Sequence, residues 1–293
     1  MSADGFRIVG MQPTPPKAHK KNRLRGKPVI SAALLFLIVF GCMFAELLMT
    51  KDPTYMDLAH SRLPPDGEFL FGADTMGRDL FSMIWYGGRI SLAIGFLSMA
   101  ISAVIAVVVG TASGLAPKAA DAALMRLTEI LLSIPNLLLV ILLQAILGKA
   151  NVLSLSVVIG VTSWLSIAKV VRTEVQTLRG SEFILASRAM GGGFVHVLRR
   201  HLAPNFFPSI MFMMVMNVRS AMIAESTLSF MGLGLPVNVI TWGSMLSLAQ
   251  NALISGAWWM ILIPGLFLIT TLVCITNLGN YLRKSLNKGQ RNL

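Results

Sequence analysis

Residues 90–115 read ISLAIGFLSMAISAVIAVVVGTASGL, 26 residues without one Asp, Glu, Lys or Arg. Runs of about 18 or more apolar residues read as spans of a bilayer. Working outward from this stretch, comparable runs occupy residues 29–49, 127–147, 152–171, 206–235 and 258–282. The sequence therefore predicts an all-α integral membrane protein with about six transmembrane helices. Pro135 falls inside the third run, where it predicts a kink or a bend around a pathway. Trp258 and Trp259 open the last run, fitting a water–bilayer interface where indole rings are enriched.

The whole chain agrees. Of 293 residues, 55% are hydrophobic and 13% charged, about half the charge of a soluble domain. The net charge of +12 would suggest nucleic acid in a soluble protein. Here the bases cluster beside and between apolar runs, the pattern of loops facing the cytoplasm, so no nucleic-acid partner is expected. Cys42 and Cys274 each lie inside an apolar run and read as small core residues. The amino end reads as an uncleaved first span, because the apolar run is too long for a signal peptide and no small-residue cleavage motif follows.

Charge also orients the chain. Arg7, Lys17, Lys20, Lys21, Arg23, Arg25 and Lys27 precede the first span. Lys118 and Arg126 lie in the linker 116–126, and Lys169, Arg172, Arg179, Arg188, Arg199 and Arg200 in or beside the segment 172–205. Arg283, Lys284, Lys288 and Arg291 close the chain. With an even number of spans all four regions share one side, so both termini are expected in the cytoplasm. The opposite side holds the loop 50–89 and Lys149. That loop is rich in Pro and acidic residues and reads as irregular chain with short helices. Within it, Asp74, Arg78 and Asp79 are expected to make local ion pairs and helix caps. The resulting division is a basic tail (1–28), a first span with its extracytoplasmic loop (29–89), a five-helix core (90–285) and a carboxyl tail (286–293).

The polar segment SEFILASRAMGGGFVHVLRRHLAPN, residues 181–205, carries the most information about function. A short helix is expected from Glu182 to Met190, with Phe183, Ile184, Ala186 and Met190 at helical spacing. Gly191, Gly192 and Gly193 break it, and a second helix, from Phe194, is expected to stop at Pro204. Ala186, Ala189 and the glycines would let a partner helix or groove approach closely. A plain interfacial helix lying on lipid is the alternative. His201 reads as a half-exposed residue of the same segment.

Arg219 and Glu225 are the ionisable residues well inside a span. Such groups cost about 2.5–3.5 kcal/mol on insertion scales and usually face protein or a water-filled path. Six residues apart on a helix, they point in different directions and each needs its own partner. Glu225 reads either as lining or gating a pathway or as a structural anchor. There is no GxxxxGK[ST] loop for ATP, and no HExxH, Ser-His-Asp or paired-Cys site. No cofactor, metal or catalytic residue is therefore expected. A secondary transporter or channel would predict inverted repeats or charges along several spans; a membrane enzyme would predict clustered His, Asp or Glu.

Four stretches add a resemblance. Glu182, Ala186 and Gly191, followed by His201-Leu202-Ala203-Pro204-Asn205, resemble the EAA loop of bacterial ABC-importer permeases. FGADTMGRDLFSMIWYGGRISL (71–92) resembles the segment before the second span in the dipeptide, oligopeptide and nickel permeases; ESTLSFMGLG (225–234) with Thr241-Trp242-Gly243 resembles the carboxyl-half signature of that branch, specifically its C-type subunit; and Ser133-Ile134-Pro135 is a further, less specific match. Ala203 stands where Leu is usual, and the proline-rich turn after Leu235 is reduced to Pro236. The resemblance implies a type I importer permease without enzymatic activity in the bacterial inner membrane. Loop 179–205 would form a coupling helix, with Glu182, Phe183, Ala186, Ala189, Gly191, His201 and Pro204 in the ATPase-coupling segment. It further implies two ATP-binding subunits, a related second permease (a heterodimer) and an extracytoplasmic solute-binding protein. Transport would proceed by alternating access, with peptides as solute, or alternatively nickel or a metal–chelator complex. Glu225, Arg219 and Pro135 remain the candidates for pathway or gating roles.

Overall fold

The computed structural model describes residues 28–148, 150–236, 238–252 and 255–290. The basic tail 1–27, Lys149 and residues 291–293 lie outside them, and so do the readings that rest on those residues. The first apolar run folds as α1 (Val29–Met43) and, after a break at Phe44, α2 (Ala45–Leu48). Next come α3 (Leu80–Leu115), α4 (Lys118–Ser133), α5 (Asn136–Leu147), α6 (Val152–Ser163) and α7 (Leu165–Leu178). The polar segment forms α8 (Glu182–Ala189) and α9 (Phe194–Val197). Then follow α10 (Ala203–Phe230), α11 (Trp242–Leu248) and α12 (Trp259–Gln290).

Three continuous stretches, Leu80–Leu115, Phe194–Phe230 and Trp259–Ser285, are long and apolar enough to cross a membrane. The pairs α4–α5 and α6–α7 pass the same test as bent units, and α1 is a shorter apolar helix. Together they supply the six apolar stretches read from sequence.

Several boundaries differ from expectation. The second span does not begin at Ile90: α3 starts ten residues earlier. Asp79 caps it, its Oδ2 accepting from the Ser82 amide at 3.0 Å and the Ser82 hydroxyl at 2.6 Å. Arg89 halted the hydropathy reading, but inside the helix it pairs with Glu46 at 3.1 Å. The third span is no simple kinked helix, because α4 and α5 meet at 93° across Ile134–Pro135. The Pro135 ring removes a backbone donor, and the residue before a proline is pushed out of helical geometry. Ile134 is accordingly extended (φ −89°, ψ 130°). Pro204 does not stop the helix after Phe194. Leu198–Leu202 widen into a π turn, with the Ala203 amide donating to the Leu198 carbonyl. The wider turn relieves the clash of the proline ring with the preceding turn, and the rod runs on to Phe230. The fifth span therefore ends at Phe230 rather than Leu235.

Loop residues between Met49 and Asp79 behave as read from sequence. Arg78 Nε donates to Asp74 Oδ2 at 2.8 Å, and Asp74 Oδ1 accepts from the amides of Met76 and Arg78. The indole of Trp259 donates to the Ala73 carbonyl at 3.2 Å, docking this loop on the start of α12.

The α3–α7 seam organises the bundle. A Cβ on Gly110 would sit 2.6 Å from the Ala168 carbonyl oxygen, and one on Gly114 2.7 Å from Val175. The G-x-x-x-G spacing thus lets two helices touch backbone to side chain, the packing that dispersion favours between helices in lipid. This signal, visible in residues 110–114, went unread in the sequence. Beside the seam, Ala106, Ile167, Ala168, Val171, Val175, Phe206 and Ile210 form one buried cluster.

Candidate functional site

α8 is eight residues long, too short to be stable alone in water. Its position comes from two side chains. Ile184 and Ser187, one turn apart, are buried, and Ile184 joins the α7–α10 cluster with Val197 and Leu202. The rest of the helix points outward. Glu182, Ala186 and Ala189 are exposed, as are Phe183, Leu185 and Met190 at 45%, 54% and 82%. Phe194 and Val195 extend the same apolar surface beyond the glycines. The stripe predicted from sequence therefore divides: Ile184 anchors inward, while Phe183, Ala186 and Met190 remain uncovered in this chain.

The glycines have distinct roles. Gly191 is left-handed (φ 86°). Its amide donates to the Arg188 carbonyl and that of Gly192 to the Ser187 carbonyl, which is a Schellman stop satisfying the end of α8. A Cβ on Gly191 would meet nothing within 4 Å, so the residue is required by backbone conformation rather than by space. Gly193 has ordinary geometry (φ −71°) and also faces open space. His201 is half-buried, its ring 5.8 Å from those of Phe183 and His196. Pro204 is exposed on the first turn of α10.

A polar clasp holds α7, the helix that leads into this segment, to the α3–α4 corner. Asp121, in the first turn of α4, accepts a bidentate pair from Arg172 of α7. It also accepts from Ser113 at 2.6 Å and Gln176 at 2.9 Å. The Arg172 guanidinium foremost, with these donors, lowers the Asp121 carboxyl to about 2, so the pair stays charged at neutral pH. Arg179, just past α7, donates to the Gly114 carbonyl at 3.3 Å. α7 and the turn after it are thus tied to α3 and α4. Asp121, Arg172 and Gln176 went unread because their sequence separation hides the contact.

The three pathway candidates do not meet. Glu225 is fully buried among hydroxyls, accepting from Thr241 at 2.7 Å, Ser229 at 3.0 Å and Ser226 at 3.2 Å. Thr241 is also the N-cap of α11 in a reciprocal capping box with Ser244. These hydrogen bonds link α11 to α10 at Glu225. Arg219 faces α12, with Nη1 3.3 Å from the Thr276 hydroxyl. Pro135 is exposed and lines an open cleft of about 470 Å³ between the two helix breaks and the middle of α10. Neither Glu225 nor Arg219 lines it.

Residues 106–288, more than half of the chain, match the family model described as binding-protein-dependent transport system inner membrane component. The chain belongs to this family. The permease is 34% identical over 268 residues to the dipeptide transport system permease protein DppC of Bacillus subtilis, covering 92% of this chain and 82% of that one. It is 32% identical to the oligopeptide transport system permease protein OppC of the same organism, covering 88% and 84%. With the probable D,D-dipeptide transport system permease protein DdpC of Escherichia coli it shares 31% identity, covering 90% and 89%. A solved structure of the MetNI methionine ABC transporter in inward-facing form matches with TM-score 0.53 at 19% identity, covering 70% of this chain and 96% of that chain. At that identity the match speaks for the fold alone. The permease is thus an integral inner-membrane component of an ABC importer of the peptide-transport family, and not an enzyme.

Proposed function

We propose that this permease imports di- or oligopeptides by alternating access, driven through α8 by ATPase subunits that it contacts at the membrane's cytoplasmic face. The observation that carries this reading is the two-faced build of α8. A helix too short to stand alone is pinned by Ile184 and Ser187 and ends in a rigid glycine stop, yet exposes Phe183, Leu185 and Met190. Such an apolar face, presented on a braced helix, suits a groove in a partner protein. The Asp121–Arg172 clasp and the α3–α7 seam give a route by which a push on α8 reaches the spans. Glu182, Ala186, Ala189, Gly191, His201 and Pro204 belong to this lever.

In the proposed cycle two ATPases close on ATP, the paired levers move, and the spans rock between inward- and outward-facing states. An extracytoplasmic binding protein delivers the solute, and a related second permease completes the pathway. Arg219, half-buried between α10 and α12, gains its counter-charge in that assembly, since a lone cation within a span needs a protein or water neighbour. Both termini lie in the cytoplasm. The relatives are named for dipeptides, oligopeptides and D,D-dipeptides, which favours peptides over the nickel alternative.

The test is reconstitution. The permease, coexpressed with the second permease and the ATPases, is purified and placed in liposomes with the binding protein. ATP-dependent uptake of radiolabelled dipeptide supports the reading. Uphill uptake by this chain alone, without ATP, overturns it.

A further inference from the structure

We propose that the cleft at the two helix breaks is a solute subsite that grips the peptide main chain through uncharged hydrogen-bonding groups. The inference rests on the peptide-import reading above and names the contact surface that reading lacks. The cleft lies at the middle of the bundle, where α4–α5 breaks at Pro135, α6–α7 breaks at Trp164, and Asn217 sits halfway along α10. Its volume of about 470 Å³ is within the usual range for small-molecule sites.

Three of its polar side chains are uncommitted. Asn217 is more than nine-tenths buried, and its Nδ2 donates to the Ser102 hydroxyl at 2.8 Å. Its Oδ1 is shut off from the surface of the cleft and accepts no hydrogen bond. Asn136, Ser166 and Ser220 line the same cleft with exposed side chains. None of the three makes a side-chain hydrogen bond among the described residues. Exposed amide and hydroxyl groups at this depth are poor neighbours for hydrocarbon and belong against water, solute or protein.

The chemistry of the lining selects the ligand. It contains no Asp, Glu, Lys, Arg or His. A peptide offers an N–H donor and a C=O acceptor at each residue whatever its side chains. The Asn136 amide and the Ser166 and Ser220 hydroxyls match that repeating pattern, and charged side chains are left undiscriminated. Helix breaks serve the same purpose in other carriers, because irregular backbone within a membrane is tolerated where it lines a cavity.

The test uses the complete importer with its partner subunits, and Ala-Ala as the probe. Cys42 and Cys274 are buried, so Ser166→Cys and Ser220→Cys supply the reporters for an aqueous maleimide. Both are expected to react, and Ala-Ala under turnover is expected to slow the labelling at least three-fold. A second variant, Ser166→Asp, places a charge in the cleft. It is expected to raise the uptake ratio of Ala-Lys to Ala-Glu at least five-fold over the unmodified importer, a shift that mere structural damage does not produce. Unreactive or unprotected cysteines with an unchanged ratio, in an importer that still takes up Ala-Ala, overturn this inference and leave the proposed function standing. An unmodified importer that moves no dipeptide overturns both.

Discussion

Replacing Ile184 with alanine should loosen α8 from the bundle without unfolding it. The side chain is fully buried beside Val197 and Leu202. The change removes three carbons, worth roughly 2.4 kcal/mol at about 0.8 kcal/mol each. Residual cavity adds to this, and measured Ile→Ala costs span about 2–5 kcal/mol. Little else holds the helix: Ser187 is its other buried side chain, and eight residues give negligible intrinsic helicity. Nearly the whole loss should therefore appear as local undocking. Amide hydrogen exchange across residues 182–190 reads it directly, since local opening free energies are set by such contacts. Exchange in this window should accelerate at least ten-fold in the Ile184→Ala variant, while amides in α3 and α12 stay unchanged. In the reconstituted importer ATP hydrolysis should then outrun peptide uptake, because the lever slips. Phe183→Ala, which removes an exposed ring, should leave local exchange within about two-fold. Unchanged protection of α8 in Ile184→Ala would refute the anchoring role.

Three further outcomes follow from the same geometry. Gly191→Ala should destabilise the α8 stop by about 1–2 kcal/mol, the cost of a left-handed L-residue, whereas Gly193→Ala should be neutral; limited proteolysis within 179–205 separates them. Glu225→Ala should destabilise by about 1–3 kcal/mol by orphaning the hydroxyls of Thr241 and Ser229, and Glu225→Gln, which keeps one acceptor, should lose less; thermal-shift midpoints in detergent report the order. For Asp121 the folded carboxyl is depressed, so its clasp contributes fully above the unfolded value near 3.8 and loses that contribution as pH falls toward about 2. Proteolysis at the α4–α7 corner should therefore be flat from pH 6 to 8 in the unmodified protein and faster throughout in Asp121→Asn.

Much of this was legible from residue order because lipid imposes a simple rule. Each span must be apolar and satisfy its own backbone, so hydropathy found the runs that became α1, α3, α10 and α12. Local chemistry was equally readable: Asp74 pairs with Arg78 four residues on, and Asp79 caps α3 at Ser82 three residues on. Tertiary consequences were hidden. Pro135 announced a break, but its angle depends on what α5 packs against. Pro204 looked like a stop, because the π turn that absorbs it leaves no sequence signature. Phe183 and Ile184 are equally apolar, and only the placement of α7 decides which is buried. The Gly110–Gly114 spacing was visible, yet its partner Val175 lies more than sixty residues away. In the cleft, Asn217, Ser166 and Ser220 are scattered polar residues until helix breaks bring them together.

Crosslinking of Ala186 to an ATPase subunit is the most direct measurement. Ala186→Cys, in inverted membrane vesicles containing the whole importer, is treated with a short bifunctional thiol reagent. A crosslinked band containing this permease and an ATPase, its yield altered by ATP, is the expected result. Labelling of Ala186→Cys by impermeant maleimide only in right-side-out cells, with no ATPase adduct, would contradict the proposal that α8 transmits force from the motor.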